Sequence, residues 1–150
     1  MQCFARCVRR LFRHRCAGLK IDHIAIVVKD LDATLDFYTH VLGFKVAYRE
    51  TIADQAVEAI GLQAGDSIVE LLRPLSEDSS LAKYRGDART KLHHTAYRVD
   101  DLKAELARLR ACGIRLIDET PRQGAHGNSI AFLHPASTHG VLIELCERTE

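Results

Sequence analysis

His23-Ile-Ala-Ile-Val-Val-Lys-Asp-Leu-Asp-Ala-Thr-Leu35 and His94-Thr-Ala-Tyr-Arg-Val-Asp-Asp-Leu-Lys-Ala-Glu-Leu106 follow one pattern. Offset against each other, they match at His23/His94, Ala25/Ala96, Val28/Val99, Asp30/Asp101, Leu31/Leu102, Ala33/Ala104 and Leu35/Leu106. Each copy is followed by an apolar run that holds a single acid, Ile68-Val69-Glu70-Leu71-Leu72 in the first and Val141-Leu142-Ile143-Glu144-Leu145 in the second. An internal repeat governs how the rest of a chain is read. It places the two histidines and the two glutamates by pseudo-symmetry, so that all four can converge on one point.

Working outward, Ile21–Val28 is a β-branched run and reads as a strand. Asp30 can cap a helix in which Leu31, Leu35, Tyr38 and Leu42 recur at spacings of four and three, and Gly43 supplies a left-handed stop. Strands are expected at Phe44–Arg49, Ala56–Leu62 and Ser67–Leu72, the last two joined by the Ala64-Gly65-Asp66 turn. The second copy repeats the order. Leu92–Val99 is a strand, Asp101 a cap, and Leu102, Leu106 and Leu109 a buried stripe that ends at Gly113. Strands then follow at Ile114–Ile117, Asn128–Leu133 and Val141–Cys146. The polar connection over 74–90 has room for a short helix around Ser80–Tyr84. Each half is β-α-β-β-β and too small to bury both faces alone. The expected fold is therefore α+β: two tandem βαβββ modules, about residues 21–73 and 92–146, forming one eight-stranded, open, curved sheet. Helices would cover the outside and leave a concave face for a ligand.

At 150 residues, 47% hydrophobic and 27% charged, the chain suits one well-buried domain, here residues 21–147. The net charge of +1 hides a split. Arg6, Arg9, Arg10, Arg13, Arg15 and Lys20 lie in the first twenty residues, which contain no acid. Removing those six leaves 15 basic against 20 acidic residues, a body of −5, which argues against nucleic acid as a partner. The leader mixes its arginines with Phe4, Val8, Leu11 and Phe12, the pattern of an organellar targeting segment, poor in serine and too interrupted to enter a membrane. Residues 1–20 are thus expected to be a basic targeting leader and the compartment mitochondrial, or the cytoplasm in a bacterium. No membrane partner is expected. Three of the five cysteines lie in that leader; Cys112 and Cys146 read as thiols in a reducing compartment.

Taken singly, a histidine at a strand start is usually packed and a strand glutamate usually solvated. Two coincidences at equivalent positions are a different matter. Glu70 and Glu144 are each set among apolar neighbours, where an ionised carboxylate needs a partner. Two imidazoles and two carboxylates, His23, Glu70, His94 and Glu144, form a mixed N/O set without thiolates, which favours Co, Mn, Ni or Mg over structural zinc. No organic cofactor is expected.

The paired modules with this His…Glu pattern resemble the vicinal oxygen chelate superfamily, which includes glyoxalase I and the extradiol dioxygenases. Several segments are similar to its methylmalonyl-CoA epimerases in particular. These are Ile21-Asp22-His23-Ile24-Ala25, Glu70-Leu71-Leu72-Arg73-Pro74-Leu75, Leu92-His93-His94, Gly124-Ala125-His126-Gly127, Phe132-Leu133-His134-Pro135 and Gly140–Leu145. The resemblance covers about residues 20–147. It implies the vicinal oxygen chelate fold, a homodimer, an acyl-CoA substrate, and His23, Glu70, His94 and Glu144 as ligands of a divalent metal ion. The implied reaction interconverts (R)- and (S)-methylmalonyl-CoA by proton transfer at C2 through a metal-stabilised enolate. Inversion requires groups on both faces of the carbon. Glu144 is expected to be one of them. A glutamate proposed as base in some epimerases falls at Ala59, which transfers no proton, and the adjacent Glu58 has the wrong strand parity. Pseudo-symmetry therefore assigns the second catalytic role to Glu70. His93 is expected to point away from the ligand set and to pack or hydrogen-bond elsewhere; His126 and His134 are expected to be loop residues. Lys83, Arg85, Arg89 and Arg122 are candidates for the CoA phosphates. Two other readings stay open. Lactoylglutathione lyase (glyoxalase I) chemistry uses the same four ligand types, and a non-enzymatic, ligand-sequestering protein of the same fold would typically lack one of them.

Overall fold

The computed structural model describes residues 19–149, so all but the last two residues of the expected leader lie outside the described residues. The chain divides into two compact units: residues 22–96, and residues 97–149 together with 19–21. The strand that opens the second sequence copy is thereby grouped, up to Ala96, with the first unit.

In the unit of residues 22–96 the strands are β1 (Lys20–Val28), β2 (Lys45–Ile52), β3 (Val57–Ala64), β4 (Ser67–Pro74) and the larger part of β5 (Thr90–Arg98), in the order β2-β3-β4-β1-β5. β3 and β4 form the expected hairpin, turning at Gly65 with φ of +62°. β1 lies parallel to β4 with His23 opposite Ile68 and Ala25 opposite Glu70. Because side chains alternate along a strand, the two faces separate cleanly. Val28, Ile60, Leu62 and Leu71 pack under the helix α1 (Leu31–Asp36), with Leu31 at the centre. Ala25, Val27, Val57, Ala59, Leu72 and Leu81 form the core of the opposite face, and this is the parity that His23 and Glu70 share.

Asp30 caps α1 as expected, its carboxylate accepting from the Ala33 amide at 3.0 Å. The helix then widens to a π turn over Phe37–Val41 before stopping at Gly43, φ +74°. A π turn breaks the 3.6-residue spacing. Leu42 is therefore carried out to about half exposure, 49%, and Phe44 packs beside Tyr38 in the place the periodicity assigned to it. The short helix expected in the connection is α2 (Ser80–Arg85), capped by Ser79.

The other unit holds α3 (Leu102–Ala111), β6 (Arg122–Gln123), β7 (Ser129–Leu133) and β8 (Ile143–Glu147), the strands in the order β8-β7-β6. Asp101 caps α3 through the Ala104 amide, and the Glu147 carboxylate accepts from the Leu102 amide at 2.7 Å. Leu102, Leu106, Ala131, Leu133 and Leu145 make its core, with Leu109 partly buried beside them. The strand expected at Ile114–Ile117 is not formed. A single bridge joins Leu116 to Leu133, and the Asp118 carboxylate accepts from the Phe132 amide at 2.8 Å, so a side chain occupies the place a strand backbone would take. Pairing resumes only after Pro121, at β6. Neither Cys112 nor Cys146 forms a disulfide among the described residues, and Cys146 is buried.

Candidate metal centre

Two imidazoles meet inside the unit of residues 22–96. His23 from β1 and His94 from β5 are both buried, and their Nε2 atoms stand 3.0 Å apart. Their outer nitrogens are held by different partners. His23 Nδ1 donates to the Asp22 carboxylate at 3.0 Å, and Asp22 is itself buried. His94 Nδ1 lies 2.9 Å from His93 Nδ1. With Asp22 holding the proton of His23 on Nδ1, the lone pair of that ring is on Nε2. In the same tautomer His94 would place its proton toward His93 and its own lone pair toward His23, whereas in the other its Nε2–H donates to His23. Two lone pairs 3.0 Å apart repel unless a cation lies between them. Cis donors ~2.1 Å from a common octahedral ion stand ~3.0 Å apart, so the imidazole pair has the spacing that a bound divalent ion requires.

Glu70 joins this pair from β4. Its Oε2 is 3.9 Å from His23 Nε2, and its Oε1 accepts from the Tyr48 hydroxyl at 2.8 Å. Burial pushes the Glu70 carboxyl above the usual carboxylate range. His23 and the Tyr48 hydrogen bond pull it back, while Glu50 and Asp22 add to the rise. A carboxylate so desolvated gains from a neighbouring cation. Burial is also the main cause that pushes the Tyr48 hydroxyl up, so it is a donor throughout the working pH range. Glu144 belongs to the other unit. There it is buried on β8, opposite Phe132 of β7.

Several sequence expectations are refined. His93 does not find its hydrogen bond away from the ligand candidates: it bonds to His94 itself, and its ring meets Tyr84 edge-on at 5.0 Å. Burial lowers its pKa, which keeps it neutral. Glu58 does face away from Glu70, as its parity requires, and is clamped by Arg49 and Arg73. Ala59 is fully buried in the core, opposite Glu50 on β2. Among the basic candidates, Arg85 is buried and paired with Glu77 at 3.2 Å, which removes it from the surface. Arg122 is engaged by Asp118 at 3.3 Å. Asp22 carries no periodic signal, although it adjoins the candidate His23. Tyr48 carried no signal at all, because its relation to Glu70 depends on strand register.

The sequence profile of the Glyoxalase/Bleomycin resistance protein/Dioxygenase superfamily matches residues 22–132. The chain belongs to that superfamily. The ethylmalonyl-CoA/methylmalonyl-CoA epimerase of Cereibacter sphaeroides is 35% identical over 128 residues, covering 84% of this chain and 96% of its own. The mitochondrial methylmalonyl-CoA epimerase of Bos taurus is 33% identical over 127 residues, covering 84% of this chain and 73% of its own. A solved variant of the Streptomyces coelicolor methylmalonyl-CoA epimerase, in complex with 2-nitronate-propionyl-CoA, superposes with a TM-score of 0.81 at 38% identity. It covers 87% of this chain and 98% of its own. Within the superfamily the likeness is thus to the epimerases, and the vicinal oxygen chelate fold expected from the repeat is the fold the chain shares with them. Bacterial and mitochondrial relatives are about equally similar.

Proposed function

We propose that this chain is a metal-dependent methylmalonyl-CoA epimerase. The observation that carries the reading is the converging His23/His94 pair with Glu70 beside it, in a chain 35% identical to a named epimerase over nearly that enzyme's whole length. His23, Glu70, His94 and Glu144 would hold a divalent ion, Co, Mn, Ni or Mg. When bound, it supplies Lewis-acid stabilisation of the negative charge that develops on the thioester oxygen as C2 loses its proton.

The protein's own part is to orient donors and move protons. Asp22 and His93 set the tautomers of the two imidazoles, so that each presents a lone pair inward. Glu144 and Glu70 are the proposed proton-transfer residues, one for each face of C2. The substrate is a small acyl-CoA and the functional unit a homodimer. Residues 1–20 are read as a mitochondrial targeting leader preceding a single domain over 21–147; in a bacterial source the enzyme would be cytoplasmic.

The decisive measurement is solvent deuterium exchange at C2 of methylmalonyl-CoA by NMR, with and without EDTA. Exchange that stops on chelation and returns with Co(II) or Mn(II) is expected. Absent exchange, with turnover of the methylglyoxal–glutathione hemithioacetal instead, would assign the site to lactoylglutathione lyase chemistry. Neither activity, with tight binding of an acyl-CoA, would make the chain a sequestering protein.

A further inference from the structure

Tyr48 and Glu70 are hydrogen-bonded across a strand that stands between them. Tyr48 lies on β2 and Glu70 on β4, with β3 in the middle. The register is Tyr48 opposite Gly61 and Gly61 opposite Glu70. A Cβ built at Gly61 would overlap the Tyr48 ring, so the ring occupies the space that any side chain there would fill. Only by crossing at that point does the hydroxyl come within 2.8 Å of Glu70 Oε1. Glycine inside a strand forgoes packing and is unfavourable by itself, which makes its use here informative.

We infer that Tyr48 is a positioning residue of the metal centre. Its hydroxyl engages Glu70 Oε1 and so leaves Oε2 as the oxygen facing His23, and Gly61 is the opening in β3 that lets it do so. The inference rests on the reading of Glu70 as a metal ligand. A purely structural role, an aromatic ring packed over a strand glycine, uses the same ring and has no need of the hydroxyl. The two roles are therefore separable by removing one oxygen atom.

The test is Co(II) titration of the full chain against a competing chelator, read by the visible absorption of bound Co(II), with the unfolding midpoint of the metal-free protein measured alongside. Tyr48→Phe is expected to weaken Co(II) binding roughly 10- to 100-fold, the range seen when a partner of a metal ligand is lost, while the midpoint stays close to that of the parent. Gly61→Ala should evict the ring and give a comparable loss, and the double variant should bind no more weakly than Gly61→Ala alone. A Tyr48→Phe protein with parental affinity and an unchanged Co(II) spectrum overturns the inference. Glu70→Ala and His23→Ala separate this from the underlying reading. If they abolish binding and Tyr48→Phe does not, only the role of Tyr48 falls. If they leave binding intact, the metal centre itself is wrong and the inference goes with it.

Discussion

In the proposed site the chemistry falls to the ring nitrogens and carboxylate oxygens around His23, and their partners decide how they can be used. Glu70 has one oxygen accepting from Tyr48 and the other 3.9 Å from His23. An amide at this position keeps an oxygen that can face an ion but cannot take a proton. Glu70→Gln is therefore expected to retain most of the Co(II) affinity while slowing C2 deuterium exchange by a factor on the order of 10² to 10⁴, the usual contribution of a positioned acid or base. Normal exchange in that variant would remove Glu70 from proton transfer and leave it a ligand only. The candidates Glu144, Glu70, His23 and His94 stand out from the repeat, because matching positions in two copies are visible in a single sequence. Asp22, His93 and Tyr48 do not. Their roles depend on which rotamer a strand neighbour adopts and on which residues face each other across β2, β3 and β4, neither of which is written in periodicity.

At the level of elements, the strands β2, β3 and β4 use their two faces for opposite purposes. On the face of Glu70 they place Tyr48, Gly61 and Ala59; on the other, Glu58 is buried between Arg49 and Arg73. Burial alone would raise the Glu58 carboxyl, but hydrogen bonds from Arg49 and Arg73, together with their charges, bring it below its usual value. A carboxyl whose folded pKa lies below its unfolded one adds stability at pH values above the unfolded range, and that stability is lost as the pH falls through the folded value. Glu58→Gln should accordingly lower stability at neutral pH by about 1–3 kcal/mol, with the exposed arginines limiting the loss, and should flatten the decline of the melting temperature below about pH 5. Equal acid sensitivity in the variant and the parent would show that this clamp contributes nothing. The elements themselves were largely readable from the caps Asp30 and Asp101 and the stops Gly43 and Gly113. The exceptions have local causes: a π turn displaced Leu42, and the Asp118 side chain replaced a strand at Ile114–Ile117.

For the whole molecule, the sequence divides charge between a basic first twenty residues and an acidic body. If residues 21–147 form the catalytic domain, a chain lacking the first twenty residues should keep Co(II) affinity, C2 exchange and a dimeric mass in solution. Loss of any of these on truncation would give the leader a role in folding, catalysis or assembly. Among the described residues no helix is long and apolar enough to cross a membrane. The fold class was legible because the repeat supplied it twice over. The compact units were not, because β5 begins the second copy in sequence yet is grouped up to Ala96 with the first.

The two imidazoles occupy equivalent places in the repeat, but the residues beside them differ. An anionic carboxylate, Asp22, stands behind His23, and a neutral ring, His93, behind His94. Hydrogen bonding to an anion makes an imidazole the stronger electron donor. The duplicated halves are thus electronically unequal before any substrate arrives. On the proposed epimerase reading, the C2 proton leaves toward one carboxyl and returns from another, so the two enantiomers do not meet the same base first. The forward and reverse reactions cross the same transition states, but deuterium at C2 passes first to a different base in each, so primary isotope effects measured from the R and from the S substrate should be distinct numbers.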